Sequence, residues 1–230
     1  NYDFNAVNKK ITDFITNDLS AFYLDFAKDV LYIDAEDADE RRAMQTVIYD
    51  ILVKLTKLLT PILPHTMEEI WQYLKEPEAY VQLAEMPEFE EFGDHDEIMT
   101  NWSAFMELRA DVLKSLEVAR DEKIIGKSLE AKLTIFPTAK VKDLLKNLNT
   151  NLQQILIVSD LVVSDEAAPA TATKYDNESI LVEHAPGEVC VRCRMVKTDI
   201  GQDPKLPMLC ASCAAIVEEN FPLEVEKGFE

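Results

Sequence analysis

Four cysteines near the end of the chain are the residues whose type and spacing could do chemistry. They form two Cys-x-x-Cys pairs, Cys190/Cys193 and Cys210/Cys213, with 16 residues between the pairs. A Cys-x-x-Cys turn directs two thiolates at one ion, so two such turns supply the four soft ligands of a tetrahedral Zn²⁺ site. The sequence therefore predicts one structural zinc, held by all four cysteines with no coordination position left open for catalysis.

Two other roles for the cysteines stay open at this point. A rubredoxin-like iron site also uses four thiolates. A redox dithiol is disfavoured, because one pair would suffice and no thioredoxin-like context surrounds either pair. The cysteines all lie between residues 190 and 213. This clustering disfavours a disulfide-built secreted protein and favours a reducing, cytoplasmic compartment.

The spacer between the two pairs contains an excess of cationic side chains. Arginines on a metal knuckle can present positive charge to a phosphate or to a base edge. The alternative is a solvated loop whose charges have no partner. The spacer and the knuckle carry Arg192, Arg194, Lys197 and Lys205 against Asp199 and Asp203.

No set of residues in the sequence predicts a catalytic site. The three histidines, His65, His95 and His184, have no cysteine or carboxylate at ligand spacing. A Ser-His-Asp or Cys-His set cannot be built, since the cysteines are committed to metal. Neither a GxGxxG nor a GxxxxGK[ST] string occurs, which excludes the usual glycine-rich phosphate loops.

The composition is that of an ordinary globular protein with a strong excess of acid. The 230 residues carry a net charge of -20, and 47% of them are hydrophobic. Such a chain should not bind nucleic acid, DNA included, or an anionic membrane through its overall field. Residues 101–160, however, hold nine Lys/Arg against eight Asp/Glu, so a local contact with a polyanion is possible there. No apolar run approaches the roughly 20 residues that span a bilayer.

The first hundred residues have helical periodicity. Apolar residues recur every three or four positions over 4–33, with a possible break near Asp18, and again over 47–59. Prolines at positions 61 and 64 should end the second stripe. Thr66 and Glu69 then fit a capping box, with Thr66 as the N-cap.

A further helix is predicted from about residue 96 to 123, after a long acidic connection over 76–100. Gly126 is the expected C-terminal stop. The inner face of this helix should contain Trp102, Phe105, Leu108, Val112, Leu113 and Leu116.

The pattern changes to a small α+β module after this helix. Residues 129–135 alternate apolar and polar, as in a half-buried strand, and 141–148 return to helical spacing. The apolar, β-branched run 155–163 predicts a second strand, and 179–183 predicts a third. The fold class is therefore multi-domain and mainly α: a helical bundle, a small α+β module and a four-cysteine zinc ribbon.

Several segments resemble class I aminoacyl-tRNA synthetases for branched aliphatic amino acids. Residues 59–71 (LTPILPHTMEEIW) resemble an "L-x-P-x-x-P-H-x-x-E-E-I-W" segment of the helical anticodon-binding domain of that family. Tyr2-Asp3-Phe4, residues 19–25 (LSAFYLD) and residues 119–131 (ARDEKIIGKSLEA) resemble three further motifs. The four-cysteine ribbon narrows the resemblance to the bacterial isoleucyl type, and the resemblance covers nearly the whole chain.

The resemblance implies a division into three parts and a partner. Residues 1–126 would be an N-terminally truncated helical anticodon-binding domain, 127–185 a junction module, and 186–230 a zinc ribbon with a C-terminal helix. Together they would hold the anticodon stem-loop of isoleucine tRNA, with Arg192, Arg194, Lys123 and Lys127 as tRNA contacts. The family's ribbon often reads C-x-R-C-W, and Arg194 stands in the position of the tryptophan.

The HIGH and KMSKS strings and the editing domain of the family are absent from the sequence. The resemblance therefore implies a C-terminal piece of a ligase that is expected to be inactive alone. The ATP chemistry would belong to the rest of the same polypeptide, which would also be a binding partner of this piece. The first residue, Asn1 rather than Met, agrees with this expectation. Two alternatives remain: a helical zinc-ribbon adaptor for proteins with no RNA role, and the equivalent region of a valyl or leucyl relative.

Overall fold

A computed structural model of the chain describes residues 3–90, 93–148 and 150–227. Its contacts divide the chain into two compact units. The first consists of Asn1–Ile33 with Asp94–Glu230, and the second is Asp34–Gly93. The predicted fold class is confirmed: the chain is mainly helical, with a small sheet and four clustered cysteines. The predicted division at residues 126 and 185 remains a prediction.

The first unit begins with one unbroken helical stretch. Helix α1 (Phe4–Asp13) continues through a π-helical segment (Phe14–Tyr23) into α2 (Leu24–Ile33). The Asp3 carboxylate accepts a hydrogen bond from the Ala6 N–H at 3.0 Å and so caps α1. The break considered near Asp18 is therefore a widening of the helix rather than an end. Tyr2, part of one resembling motif, lies outside the described residues.

The second unit is built around a buried tryptophan. Helix α3 (Asp39–Leu59) and helix α4 (Pro64–Trp71) pack with a 3₁₀ turn at Val81–Leu83. Trp71 is 2% exposed, contacts Met67 and Val81, and donates from Nε1 to the Glu78 carbonyl at 2.8 Å. The acidic connection is thus folded onto α4 at this point.

The predicted capping box at the start of α4 is wrong. Helix α4 begins at Pro64 with Leu63 as the N-cap, so Thr66 already lies inside the helix. Proline suits the first helical position because its missing N–H would have no partner there. The neighbouring Glu68 accepts a hydrogen bond from the Val81 N–H at 3.0 Å, which connects α4 to the 3₁₀ turn.

Helix α5 (His95–Asp121) is the long helix of the first unit. Its face toward the core includes Phe105, Leu108, Val112 and Leu116, all buried as predicted. Leu113 was predicted inside but is 41% exposed, because it lies one position past Val112, outside the buried stripe. Half-buried Trp102 packs edge-on against Phe105, with ring centroids 5.4 Å apart.

A four-stranded sheet follows α5 in the first unit. Its order is β2-β1-β4-β3, formed by β1 (Ala131–Pro137), β2 (Asp160–Val163), β3 (Thr173–Lys174) and β4 (Glu178–His184). Strand β1 pairs in parallel with β2 and antiparallel with β4. A parallel pair needs a crossover connection, which helices α6 (Ala139–Asn147) and α7 (Leu152–Leu156) provide.

The predicted strand over residues 155–163 is half wrong. Residues 155 and 156 end helix α7, and the strand begins only at Asp160. Ile157 separates the two elements in the left-handed conformation, with φ of 55°. A short apolar run of this kind does not by itself distinguish a buried helical turn from a strand.

The ribbon completes the described chain. It contains a two-stranded hairpin, β5 (Glu188–Val189) and β6 (Val196–Lys197), followed by helices α8 (Ala211–Asn220) and α9 (Pro222–Lys227). The hairpin can close only because residue 187 is glycine, with φ of 113°. A Cβ at that position would lie 2.2 Å from the Lys197 carbonyl oxygen.

Candidate metal centre and nucleic-acid interface

The hairpin and the start of α8 position the two cysteine pairs. Cys190 follows β5, and its N–H donates to the Met195 carbonyl at 2.9 Å, while the Arg194 N–H donates to the Cys190 carbonyl at 2.9 Å. These bonds fold residues 190–195 into a tight knuckle. Cys210 is the N-cap of α8, and Cys213 lies in its first turn. A loop and a helix start thus present two thiols each.

The four sulfur atoms converge on one point. All four Sγ atoms lie within 4.8 Å of one another, and Cys193 Sγ is 4.0 Å from Cys210 Sγ. A tetrahedral zinc with Zn–S bonds of about 2.3 Å separates its sulfurs by about 3.8 Å. A disulfide would need about 2.05 Å, and the four cysteines are free thiols. The donor set and its spacing therefore fit one Zn²⁺.

The sulfurs are also the centre of the ribbon's small core. The cysteines are at most 6% exposed, and Leu206, Leu209, Ala214 and Val217 pack around them. Ile33, at the end of α2, packs against the same cluster. A metal site surrounded by apolar groups excludes water, as a structural rather than a hydrolytic site requires.

The neighbouring thiols and Arg192 favour the ionised form of one thiol of the cluster. The hydrogen bond from Cys193 lowers the pKa of Cys213 against the effect of burial, and Arg192 lowers it further. Sharing that proton raises the pKa of Cys193. Because the thiolate is the form that binds metal, the pair is suited to ligation.

The two arginines of the knuckle have different surroundings. Arg192 is half-buried, and its Nη1 donates to Cys213 Sγ at 3.6 Å. Arg194 is exposed and adopts φ of 65°, the left-handed conformation that is costly for a residue with a side chain. Arg194 is therefore free to meet a ligand in solution, while Arg192 also supports a sulfur ligand.

Lys123 and Lys127 lie on the turn that follows α5. The Lys123 N–H donates to the Arg120 carbonyl at 3.0 Å and the Ile124 N–H to the Ala119 carbonyl at 2.9 Å. This is a Schellman ending with Lys123 in the left-handed position, at φ of 60°. The predicted stop at Gly126 is wrong, because the helix has already ended at Asp121.

A carboxylate fixes the rest of this turn. Glu130 accepts hydrogen bonds from the Gly126 N–H at 2.7 Å and the Lys127 N–H at 3.3 Å. The first of these bonds is the main cause of the lowered pKa of Glu130. Lys123 and Lys127 therefore stand exposed on an ordered backbone.

A buried hydroxyl connects two segments: the turn over residues 122–130, called here the lysine turn, and the knuckle over residues 190–195, called here the arginine knuckle. Ser159 Oγ donates to the Leu129 carbonyl and accepts a hydrogen bond from the Val196 N–H at 2.7 Å. Leu129 lies two residues after Lys127, and Val196 lies two residues after Arg194. The four predicted tRNA contacts thus belong to two segments with a shared anchor. No motif in the sequence pointed to Ser159.

An apolar groove of about 670 Å³ lies beside the knuckle. Arg192 and Lys205 line it together with Met208 and Phe221, which are 61% and 51% exposed. Sequence reasoning identified the cations but missed the apolar wall, because Phe221 follows α8 outside any recognisable motif. The groove thus combines apolar side chains with two cations, Arg192 and Lys205, and one acid, Glu224.

Comparison with known proteins gives the family. The family described as "Anticodon-binding domain of tRNA ligase" matches residues 1–135, more than half of the chain. The chain belongs to this family. Membership in the anticodon-binding domain family implies that the chain binds tRNA. A second family, described as "Zinc finger found in FPG and IleRS", matches residues 187–216 and includes all four cysteines. This match and the cysteine cluster support the predicted structural zinc.

Individual relatives agree with the family. The chain is 65% identical to an isoleucine–tRNA ligase from Lactobacillus johnsonii and 63% identical to one from Lactobacillus acidophilus. An isoleucine–tRNA ligase from Enterococcus faecalis is 55% identical. All three alignments cover 100% of this chain and 25% of the relative, so the chain spans about a quarter of their length. The resemblance to the isoleucyl type is confirmed.

Among the described residues, no helix combines the length and apolar character needed to cross a bilayer.

Proposed function

We propose that the chain is the part of an isoleucine–tRNA ligase that holds the anticodon stem-loop of isoleucine tRNA. The observation that supports this most strongly is an identity of 55–65% to such ligases along the whole chain. The complete protein would join isoleucine to its tRNA with ATP in the cytoplasm. Activation of the amino acid and editing would belong to the rest of the polypeptide, and the chain alone would be inactive.

The metal would hold the ribbon and take no part in the reaction. Cys190, Cys193, Cys210 and Cys213 are its proposed ligands, which leaves no open position for a water molecule. When bound, zinc would link the knuckle to the start of α8 through coordination by the four sulfurs. Arg192 donates to one ligand sulfur, and such outer contacts orient ligands and tune metal sites.

The exposed cations would contact RNA. Lys123, Lys127 and Arg194 are suited to phosphates or to the edges of unstacked loop bases, and Arg192 lies at the wall of the apolar groove. Lys123 has a positive φ because it ends helix α5, whereas the positive φ of Arg194 has no helix end to explain it. Strained backbone at non-glycine residues concentrates at functional sites, which supports the assignment of Arg194.

Two further parts of the proposal concern the organisation of the chain. The division into 1–126, 127–185 and 186–230 is supported by the change from helices to sheet at Ala131 and by the hairpin that starts at Glu188. A contact with the rest of the same polypeptide is supported by Phe4 and Val7 on α1, which are 56% and 43% exposed.

The test measures tRNA binding directly and in a ligase. The zinc-loaded chain is titrated with transcripts of isoleucine tRNA and valine tRNA at two salt concentrations. In parallel, the chain replaces the matching quarter of the Lactobacillus johnsonii ligase, and the KM for each tRNA is measured. We expect a preference for isoleucine tRNA in both assays.

The controls separate the alternatives. A preference for valine tRNA would overturn the proposed specificity for isoleucine tRNA. RNA recognition would be overturned if neither tRNA bound at either salt concentration and the KM of the chimera for tRNA were far above that of the parent ligase. That outcome would favour the protein-adaptor alternative.

A further inference from the structure

Every polar group of Ser159 has a hydrogen-bond partner inside the first unit. Its N–H donates to the Ala131 carbonyl at 3.0 Å, and its own carbonyl accepts from Gln153 Nε2 at 2.6 Å. Its hydroxyl donates to the Leu129 carbonyl and accepts from the Val196 N–H at 2.7 Å. The residue is 3% exposed, so it cannot itself touch a macromolecular ligand.

The hydroxyl bridges two backbone segments of the chain that lie in separate parts of the fold. Leu129 is in the turn that carries Lys127, and Val196 is in strand β6, directly after the knuckle that carries Arg194. The chain enters the ribbon at Ala185, whose N–H donates to the Glu130 carbonyl at 2.7 Å. The entry point and β6 are thus both tied to the 128–130 turn.

We propose that Ser159 is a positioning residue for tRNA recognition: its buried hydroxyl sets the placement of the arginine knuckle relative to the lysine turn. The inference rests on the proposed function, since it assigns a role to a contact between two RNA-binding segments. A hydrogen-bonded network whose members are all satisfied has one preferred arrangement, which is the property a positioning contact needs.

Loss of the hydroxyl should act through the knuckle. In Ser159→Ala, the buried Val196 N–H and Leu129 carbonyl lose their partner, so β6 can shift until they find water or another group. Arg194 would then meet its RNA partner in a poorer geometry. A residue with a purely structural role would lower the melting temperature without this specific effect on binding.

The experiment is a double-mutant cycle on the zinc-loaded chimeric ligase, well below its melting temperature. Ser159→Ala should raise the KM for isoleucine tRNA about tenfold, with kcat and isoleucine activation unchanged. Added to Arg194→Ala, it should raise the KM by less than about threefold further, because Arg192 is then the only cation of the knuckle left for it to position. Ser159→Thr keeps the hydroxyl, and Ser159 borders a pocket of about 200 Å³, so the KM should stay near that of wild type.

Ser115→Ala is the matched control. Ser115 is also 3% exposed, and its hydroxyl bonds to Tyr175 Oη at 2.8 Å, which links α5 to the segment before β4. This variant should lower the melting temperature and leave the KM unchanged. An unchanged KM in Ser159→Ala, or effects of Ser159→Ala and Arg194→Ala that multiply, would refute the positioning role. If Arg194→Ala alone has no effect, the proposed RNA contact fails instead.

Should Ser159→Ala not fold, Ser159→Cys provides the second variant. The thiol is a weaker hydrogen-bond donor and acceptor than the hydroxyl, so the KM should lie between those of wild type and Arg194→Ala. Hydrogen exchange at the Val196 amide should speed up in the same variant. A Ser159→Cys variant with faster exchange and a wild-type KM would also refute the role.

Discussion

Replacing Arg194 by alanine and by glycine separates the cost of its backbone from the use of its side chain. Both variants remove the guanidinium. Alanine keeps the left-handed conformation at φ of 65° and its steric cost, while glycine relieves that cost. The two variants should therefore differ in stability and agree in tRNA binding.

The expected magnitudes follow from the backbone. A left-handed residue with a Cβ costs about 1–2 kcal/mol. Glycine gives back about 0.5–1 kcal/mol through its larger loss of chain entropy on folding. Arg194→Gly should thus be about 0.5–1 kcal/mol more stable than Arg194→Ala. Loss of one arginine contact to RNA costs about 1–3 kcal/mol, so both variants should bind tRNA about 5- to 150-fold more weakly.

Urea unfolding of the zinc-loaded chain measures the first quantity, and tRNA titration measures the second. Glu117, exposed within α5 and four residues before its end at Asp121, is the matched control for stability. There glycine should be about 1 kcal/mol less stable than alanine, the opposite sign. Equal stability of the two Arg194 variants would refute the strain, and wild-type binding by either would refute the contact.

Three further perturbations test the metal, a titrating carboxyl group and the second unit. Removal of zinc with a chelator should abolish hydrogen-exchange protection over residues 188–217, because the ribbon core is built on the ligands, while the Leu133 and Ile180 amides in the sheet stay protected. Protection of residues 188–217 that survives metal loss would contradict this. Burial, and then the nearby Asp111, raise the pKa of Glu178 from 4.5 to about 7, so the fold should lose stability as pH rises from 4.5 through 7. Glu178→Gln should remove that loss. After allowance for solvent screening, it should be about 1–2 kcal/mol more stable than wild type at pH 8 and no more stable at pH 5. Denaturant midpoints at both pH values measure this, and Glu107→Gln, at an exposed position of α5, is the control for a lost charge. Trp71→Phe should cost about 1–3 kcal/mol, because the Glu78 carbonyl loses its 2.8 Å hydrogen bond in a packed site; thermal unfolding that matches wild type would show that the bond contributes nothing.

The cysteine site could be predicted from the sequence because its information is local. Two Cys-x-x-Cys turns specify both the ligands and their geometry, whatever fold surrounds them. The inner faces of α5 and β1 were predictable for a similar reason, since periodicity alone places Phe105, Leu116 and Leu133 on buried faces.

The errors occurred where a local preference was overruled. Glycine is the usual residue type for a helix stop, but the chain turns at Lys123, three residues before Gly126 and eight residues before strand β1 begins at Ala131. The run 155–163 has strand composition, but the Asn151 side chain accepts from the Gln154 N–H at 3.3 Å and starts a helix there. Ser159 gave no signal at all, because a serine that joins two distant backbones looks like any other serine in sequence.

The net charge of -20 and a role in RNA recognition are compatible if contacts are local. A uniformly basic surface would bind any polyanion, since phosphate contacts contain no sequence information. On an acidic protein, repulsion opposes every RNA that does not bring its phosphates to the few exposed cations. The placement of Lys123, Lys127 and Arg194 then matters more than their number, and specificity gains from the repulsion elsewhere. Under this proposal, the ordered turn held by Glu130 and the knuckle held by Ser159 are what allow three cations to act on an acidic chain.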